Sequence, residues 1–253
     1  GAQVRIGGVA VELVLDTSGS MLRDLGGSTR IAVARRSLRQ LIEGSLPEGL
    51  PVALRTFKAG RRSCATRITV PLGPLDRADM LERIRKLKID KRTKTPLAVT
   101  IAAVAGDLRE VSGPRIVVVV TDGAETCKGD PEEAVRSLVA AGIDTTVNIV
   151  GFALDDEELK ARMAAWAAAG GGVFTDAQDQ SDLSTAITDA LRAPFRIYDD
   201  TGALVGEGIV GSDSITVPMG TYRVEVLAHP EPIVFEDVNV GTGVTVQLEV
   251  GGD

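Results

Sequence analysis

The sequence predicts an α/β fold, a doubly wound and mostly parallel six-stranded sheet, followed by a small all-β module. Three observations carry this. Apolar runs of strand length, VAVELVL at 9–15 and RIVVVVT at 115–121, are continuous enough to be buried on both faces, as inside a parallel sheet. Stretches with helical spacing alternate with such strands, which implies right-handed crossovers on both sheet faces. After Ala193-Pro194 the helical spacing stops and short alternating runs take over.

The first strand ends at Asp16, and DTSGS (16–20) turns the chain. In 30–46, Ile31, Ala34, Leu38, Leu41 and Ile42 form one helical stripe that Pro47 and Gly49 end. VALRTFK (52–58) and 64–70 alternate around the turn AGRRS and read as a hairpin. Residues 76–87 place Met80, Leu81, Ile84 and Leu87 inward, and 96–110 repeat the pattern with Leu97, Ile101, Val104 and Leu108. Asp130-Pro131-Glu132-Glu133 supplies a cap, a first-turn proline and acidic residues for a helix that Gly142 closes. A strand at 145–154 precedes a helix at 157–168 with Leu159, Met163 and Trp166 inward, read as core packing. Gly170 to Gly172 break that helix, 173–175 form a last strand, and 181–191 close the unit with Leu183, Ile187 and Leu191 inward.

The expected units are 1–193 and 194–253. The second contains FRIYD, ALVGEGIV, SITVP, TYRVEVL, PIVFEDVNV and VTVQLEV, separated by turn residues, the pattern of a small antiparallel β-sandwich. VPMGTYRVEV weakly resembles repeats of transthyretin-like modules. Gly206, Gly208 and Gly211 fit a dinucleotide fingerprint in spacing, but no helix follows them, so that reading is rejected.

Asp16, Ser18 and Ser20 place hard oxygen donors at the carboxyl end of a central strand, where open α/β sheets bind ligands. Oxygen-only donor sets suit magnesium, manganese or calcium. By itself DTSGS also fits an ordinary turn. An aspartic protease would need Asp-Thr-Gly and a second copy. Asp16-x-Ser18-x-Ser20, with Thr95 in KTPLA and Asp122 in VVVVTDG, resembles the metal-ion-dependent adhesion site of von Willebrand factor type A domains. The resemblance spans roughly 9–192. It implies strand order 3-2-1-4-5-6 with strand 3 antiparallel. It also implies Ser18, Ser20 and Thr95 as direct ligands of Mg2+ (or Mn2+/Ca2+), Asp16 and Asp122 acting largely through water, and an open position for a partner's Glu or Asp carboxylate. Thr95 has a second reading as a helix N-cap before Pro96. The bulky Arg92-Thr93-Lys94 before it departs from the family pattern and leaves Thr93 as a competitor.

The net charge of −7 and 3% aromatic content argue against nucleic-acid binding. The single histidine, His229, is far from these motifs, so triad chemistry has little to work with. No enzymatic activity is expected, although Glu125 near Asp122 keeps a metal-assisted hydrolase in view. No run is long enough to span a membrane, and no apolar secretory stretch opens the sequence. Cys64 and Cys127 are either free thiols or a disulfide tethering the hairpin to the loop after Asp122, which would indicate an extracytoplasmic setting. Lys58, Arg61, Arg62, Lys94 and Lys128 are expected as a basic rim steering an acidic partner, or as ordinary solvated charges. The leading expectation is a monomeric, metal-dependent protein-binding module. The alternative is an assembly subunit whose metal only stabilises loops.

Overall fold

The structure, a computed structural model, describes residues 2–47, 49–111, 113–141, 145–210, 214–227 and 232–249. Gly142, Gly211 and His229 lie outside them. The chain begins with β1 (Ala2–Gly7) and β2 (Ala10–Leu15). A 3-10 turn (Gly19–Leu22) and the two-residue strands β3 (Asp24–Leu25) and β4 (Ser28–Thr29) lead into α1 (Arg30–Gly44). Then come β5 (Pro51–Phe57), β6 (Thr66–Pro74), α2 (Arg77–Arg85), α3 (Leu97–Asp107), β7 (Arg115–Thr121), α4 (Pro131–Ala140), β8 (Thr145–Phe152), α5 (Glu157–Ala169), β9 (Phe174–Ala177) and α6 (Gln180–Ala190).

The main sheet runs β6-β5-β2-β7-β8-β9. All neighbours are parallel except the β5–β6 hairpin pair. This is the strand order, 3-2-1-4-5-6 with strand 3 antiparallel, that the family resemblance implied. Every residue of β2 and β7 is buried, which explains why both read as continuous apolar runs. Val11, Leu13 and Leu15 pack with Ala34, Leu38 and Ile187 on one face of the sheet. Val14, Val117 and Val119 pack with Leu97, Ile101, Met163 and Trp166 on the other.

Helix starts follow side-chain chemistry. Thr29, Asp76, Asp130, Asp156 and Asp179 each accept a backbone N–H from the first turn of their helix. The exception is α3, where Pro96 occupies the cap position and offers no side-chain acceptor. Thr95 therefore does not cap α3.

The remaining strands are β10 (Pro194–Tyr198), β11 (Leu204–Ile209), β12 (Ser214–Val217), β13 (Gly220–Val226), β14 (Ile233–Val240) and β15 (Thr245–Glu249). They form two sheets, β11-β10-β13-β14 and β12-β1-β15. The second sheet differs from the sequence-based division, because β1 lies between two C-terminal strands, antiparallel to β12 and parallel to β15. Residues 2–7 thus share no ladder with the main sheet. Alternation in AQVRI, with Ala2 and Val4 buried, supplies the reason. Gly206 and Gly208 serve close packing: a Cβ on Gly206 would lie 2.7 Å from Ile215 Cγ2, and one on Gly208 would lie 2.9 Å from Phe195 Cζ.

Beneath α3 lies a buried ionisable group. Glu12, in the middle of β2, is fully buried. Arg55 Nε lies 3.1 Å from its Oε1, and the same guanidinium bonds Asp107. Oε2 of Glu12 has no hydrogen-bond partner among the described residues. Burial, reinforced by the Asp107 charge, raises the Glu12 pKa from 4.5 to about 9 despite Arg55. The folded chain therefore holds a proton that the unfolded chain releases near 4.5. This contribution to stability is complete below that pH and is lost as pH rises through about 9. Glu12→Gln, which keeps the neutral form, is expected to raise the melting temperature at pH 8 and to flatten the decline above pH ~5. Denaturant titrations across that range check it; a steeper decline in the variant would count against a protonated Glu12.

Candidate functional site

The parallel register sets the site. Leu15 pairs with Val120, so Asp16 and Thr121 leave adjacent strands side by side. Asp16 is fully buried. Its Oδ1 accepts the Ser18 N–H at 2.7 Å, and its Oδ2 accepts the Thr121 hydroxyl at 2.6 Å. Thr17 Oγ1 donates to the Phe57 carbonyl at 3.0 Å and fastens the turn to β5. Ser18 and Ser20 hydroxyls lie 2.9 Å apart, and Ser20 donates to Asp122 Oδ1 at 2.6 Å. Asp16, Ser18, Ser20 and Asp122 thus converge at one corner. Burial and the nearby Asp122 charge push the Asp16 pKa from 3.8 up to about 7, opposed by the bonds from Ser18 and Thr121.

The loop before α3 is pressed against this corner. Gly19 N–H donates to the Thr93 carbonyl at 3.1 Å. A Cβ on Gly19 would fall 2.2 Å from the Lys91 carbonyl oxygen, so only glycine fits there. The Thr93 hydroxyl is engaged with the Gly60 backbone, accepting its N–H at 3.1 Å and donating to its carbonyl at 3.3 Å. Thr93 is therefore occupied as a strut between loops. Thr95 is buried; its N–H donates to Thr126 Oγ1 at 2.7 Å, and its carbonyl accepts the Thr126 N–H at 3.0 Å. Its own hydroxyl makes no hydrogen bond among the described residues.

Glu125 performs the capping that Thr95 does not. Its Oε2 accepts the Ala98 N–H at 2.8 Å, and its Oε1 accepts the Cys127 N–H. Both carboxylate oxygens are spent on loop geometry, which leaves Glu125 poorly placed as a general base.

Cys64 and Cys127 form a disulfide with a Cα–Cα distance of 5.7 Å. The strands that lead to them, β5 and β7, stand two positions apart in the sheet, about 10 Å, which is more than a disulfide spans. The loops close the gap, because Arg62 N–H donates to the Arg92 carbonyl at 2.9 Å and Lys94 N–H to the Ser63 carbonyl at 3.3 Å. Arg62 and Lys128 reach this closure with φ of 54° and 66°. Lys58, Arg61, Arg62 and Lys128 are exposed in these loops, while Lys94 is half-buried and its Nζ donates to the Thr126 carbonyl at 3.3 Å.

Sequence reasoning missed Thr121, Thr126 and Arg30. Arg30 Nη1 donates to Asp122 Oδ2 at 2.8 Å, with the carboxylate fully buried. A signal existed for two of them. Thr121 immediately precedes Asp122 at the strand end, and Arg30 places a cation at a helix N-terminus, where the helix dipole disfavours it.

The donor set that converges at the corner is two carboxylates and the two serine hydroxyls, all hard oxygens, which fits a small divalent cation. The unpartnered Thr95 hydroxyl is consistent with a ligand position. Among the described residues, no group of three or more His, Cys, Asp or Glu side chains is placed to hold a metal, the two-carboxylate corner included.

A sequence model of the von Willebrand factor type A domain matches residues 11–125. The uncharacterized protein YwmD of Bacillus subtilis (strain 168) is 33% identical over 190 residues, covering 70% of this chain and 82% of that protein. Among solved structures, a von Willebrand factor type A protein from Catenulispora acidiphila superposes with a TM-score of 0.61 at 14% identity, covering 94% of this chain and 67% of that one. Proximal thread matrix protein 1 from the mussel byssus, solved with a zinc-occupied MIDAS motif, gives a TM-score of 0.54 at 16% identity, covering 76% of this chain and 49% of that one.

The disulfide closes a loop of 63 residues in sequence separation, for which the chain-entropy model gives about 4 kcal/mol of stabilisation. Reduction is expected to lower the unfolding free energy by about 2–4 kcal/mol. Denaturant midpoints with and without reductant check this; coincident curves would show that the bridge adds nothing.

Proposed function

The chain belongs to the von Willebrand factor type A domain family, and we propose that its sheet apex is a metal-dependent protein-binding site. The observation that carries this reading is the convergence of Asp16, Ser18, Ser20 and Asp122, with the free Thr95 hydroxyl on the adjoining loop. Ser18, Ser20 and Thr95 would hold Mg2+ (or Mn2+/Ca2+) directly, with Asp16 and Asp122 supplying charge and orienting water. A bound dication supplies an electron-poor centre for a carboxylate from another protein. Neutral hydroxyl ligands leave that centre poorly neutralised, and this favours an added anion.

The site offers recognition rather than turnover. The chain's one histidine, His229, is remote in sequence from these motifs, and Glu125 is committed to Ala98 and Cys127. A purely structural role for the metal is the weaker alternative, because the disulfide and the Thr93 and Thr126 bonds already brace the same loops. The lysines and arginines of the loops would draw in an acidic partner. The disulfide, with Cys64 exposed and Cys127 half-buried, suits an oxidising, extracytoplasmic setting. No helix among the described residues is long and apolar enough to cross a membrane.

MgCl2 or MnCl2 is expected to raise the melting temperature of the native chain, in proportion to the logarithm of free metal above its Kd. Ser18→Ala or Thr95→Ala should weaken that response at least ~10-fold in metal concentration while leaving the chelator-treated melting temperature within a few degrees. Equal metal responses in wild type and both variants would refute the ligand assignment.

A further inference from the structure

The Asp122 carboxylate is fully buried with both oxygens engaged, Oδ1 by Ser20 and Oδ2 by Arg30. Arg30 is itself 9% exposed, and its Nε is buried without a hydrogen-bond partner among the described residues. It is the first residue of α1, at the positive end of the helix dipole. Desolvation and the dipole both oppose a cation here, and of its buried guanidinium nitrogens only Nη1 is compensated, by Asp122. A neutral residue would pack at this position at lower cost. The charge itself therefore calls for an explanation.

We propose that Arg30 is a resident counter-charge of the metal site. It holds Asp122 in place when no ion is bound, and it deliberately weakens the site's grip on a divalent cation. This rests on the reading of the apex as a metal site. Two carboxylates, Asp16 and Asp122, would balance a dication. With Arg30 beside Asp122 one positive charge is left over. Beside the buried Asp16 and Asp122 carboxylates that surplus acts at short range, less attenuated than it would be in bulk water. It repels the ion and attracts a further anion. Metal uptake and capture of a partner carboxylate thereby become coupled: each is weaker alone than the two together. Arg30 also fixes Asp122 Oδ2, so this aspartate can reach the ion only by giving up Arg30 or through a water on the Oδ1 side.

Arg30→Gln and Arg30→Lys in the full chain test this, with Mg2+ and Mn2+ affinity read by calorimetry and by the metal-dependent rise in melting temperature. Arg30→Gln removes the charge and keeps a donor toward Asp122. It is expected to bind metal about tenfold tighter, while its chelator-treated form melts lower than wild type. Arg30→Lys keeps the charge and should retain affinity within about threefold of wild type. A folded Arg30→Gln with unchanged or weaker metal affinity overturns the proposal and reduces Arg30 to a structural latch. If Arg30→Gln folds only with metal present, Mg2+-driven refolding supports the counter-charge; failure of Mg2+ to restore folding overturns it. A wild type that binds neither ion would instead refute the metal-site reading itself, a result distinguishable from either outcome.

Discussion

The bond from the Thr121 hydroxyl to the Asp16 carboxylate, at 2.6 Å between the ends of two adjacent parallel strands, is the contact on which the apex depends. It exists because β2 and β7 pair in a single register from Ala10↔Arg115 to Leu15↔Val120. A one-residue slip would turn Asp16 toward the opposite face. The register is pinned by burial on both faces, since Val11, Leu13 and Leu15 serve one core and Val14 the other. Core packing thus delivers two carboxylates to the same corner before any loop contributes.

The loops then work as a cross-braced cap. Thr93 spans Gly19 and Gly60, Thr126 holds Thr95, Glu125 caps α3, and the disulfide joins the hairpin loop to the loop after β7. Small residues are needed where these loops meet. Gly19 lies against the Lys91 carbonyl, and a Cβ on Gly129 would lie 2.4 Å from Ala98 Cβ. Such bracing fixes the backbone around the corner and leaves the Thr95 hydroxyl unspent, an arrangement that favours a bound ligand over simple capping.

The sheet carries two buried arrangements of carboxylates with arginine, and they differ in kind. Glu12 shares Arg55 with Asp107 and is neutral near physiological pH, because burial outweighs a divided counter-charge. Asp122 has Arg30 to itself and also accepts from Ser20. The first is a packing arrangement under α3. The second stands at the open end of the sheet, beside hydroxyls that can turn toward an ion. Position relative to solvent separates the two roles more than composition does.

Much of this was legible in the amino-acid sequence. The continuous apolar runs at 9–15 and 115–121, the helical stripes and the aspartate caps are local patterns, and local patterns set element type and face. Asp16, Ser18 and Ser20 could be singled out because the strand end is visible as the point where the apolar run stops, and Asp122 through the resemblance to the von Willebrand factor type A domain. The alternation in AQVRI was equally local, yet its partners, β12 and β15, lie more than two hundred residues away. Only tertiary structure could assign β1 to them. The same holds for Arg30 on Asp122, Glu125 at the start of α3, and the closure of Cys64 on Cys127. Charge partners and loop closures are chosen by through-space distance between segments remote in sequence, and no periodicity along the chain encodes that distance.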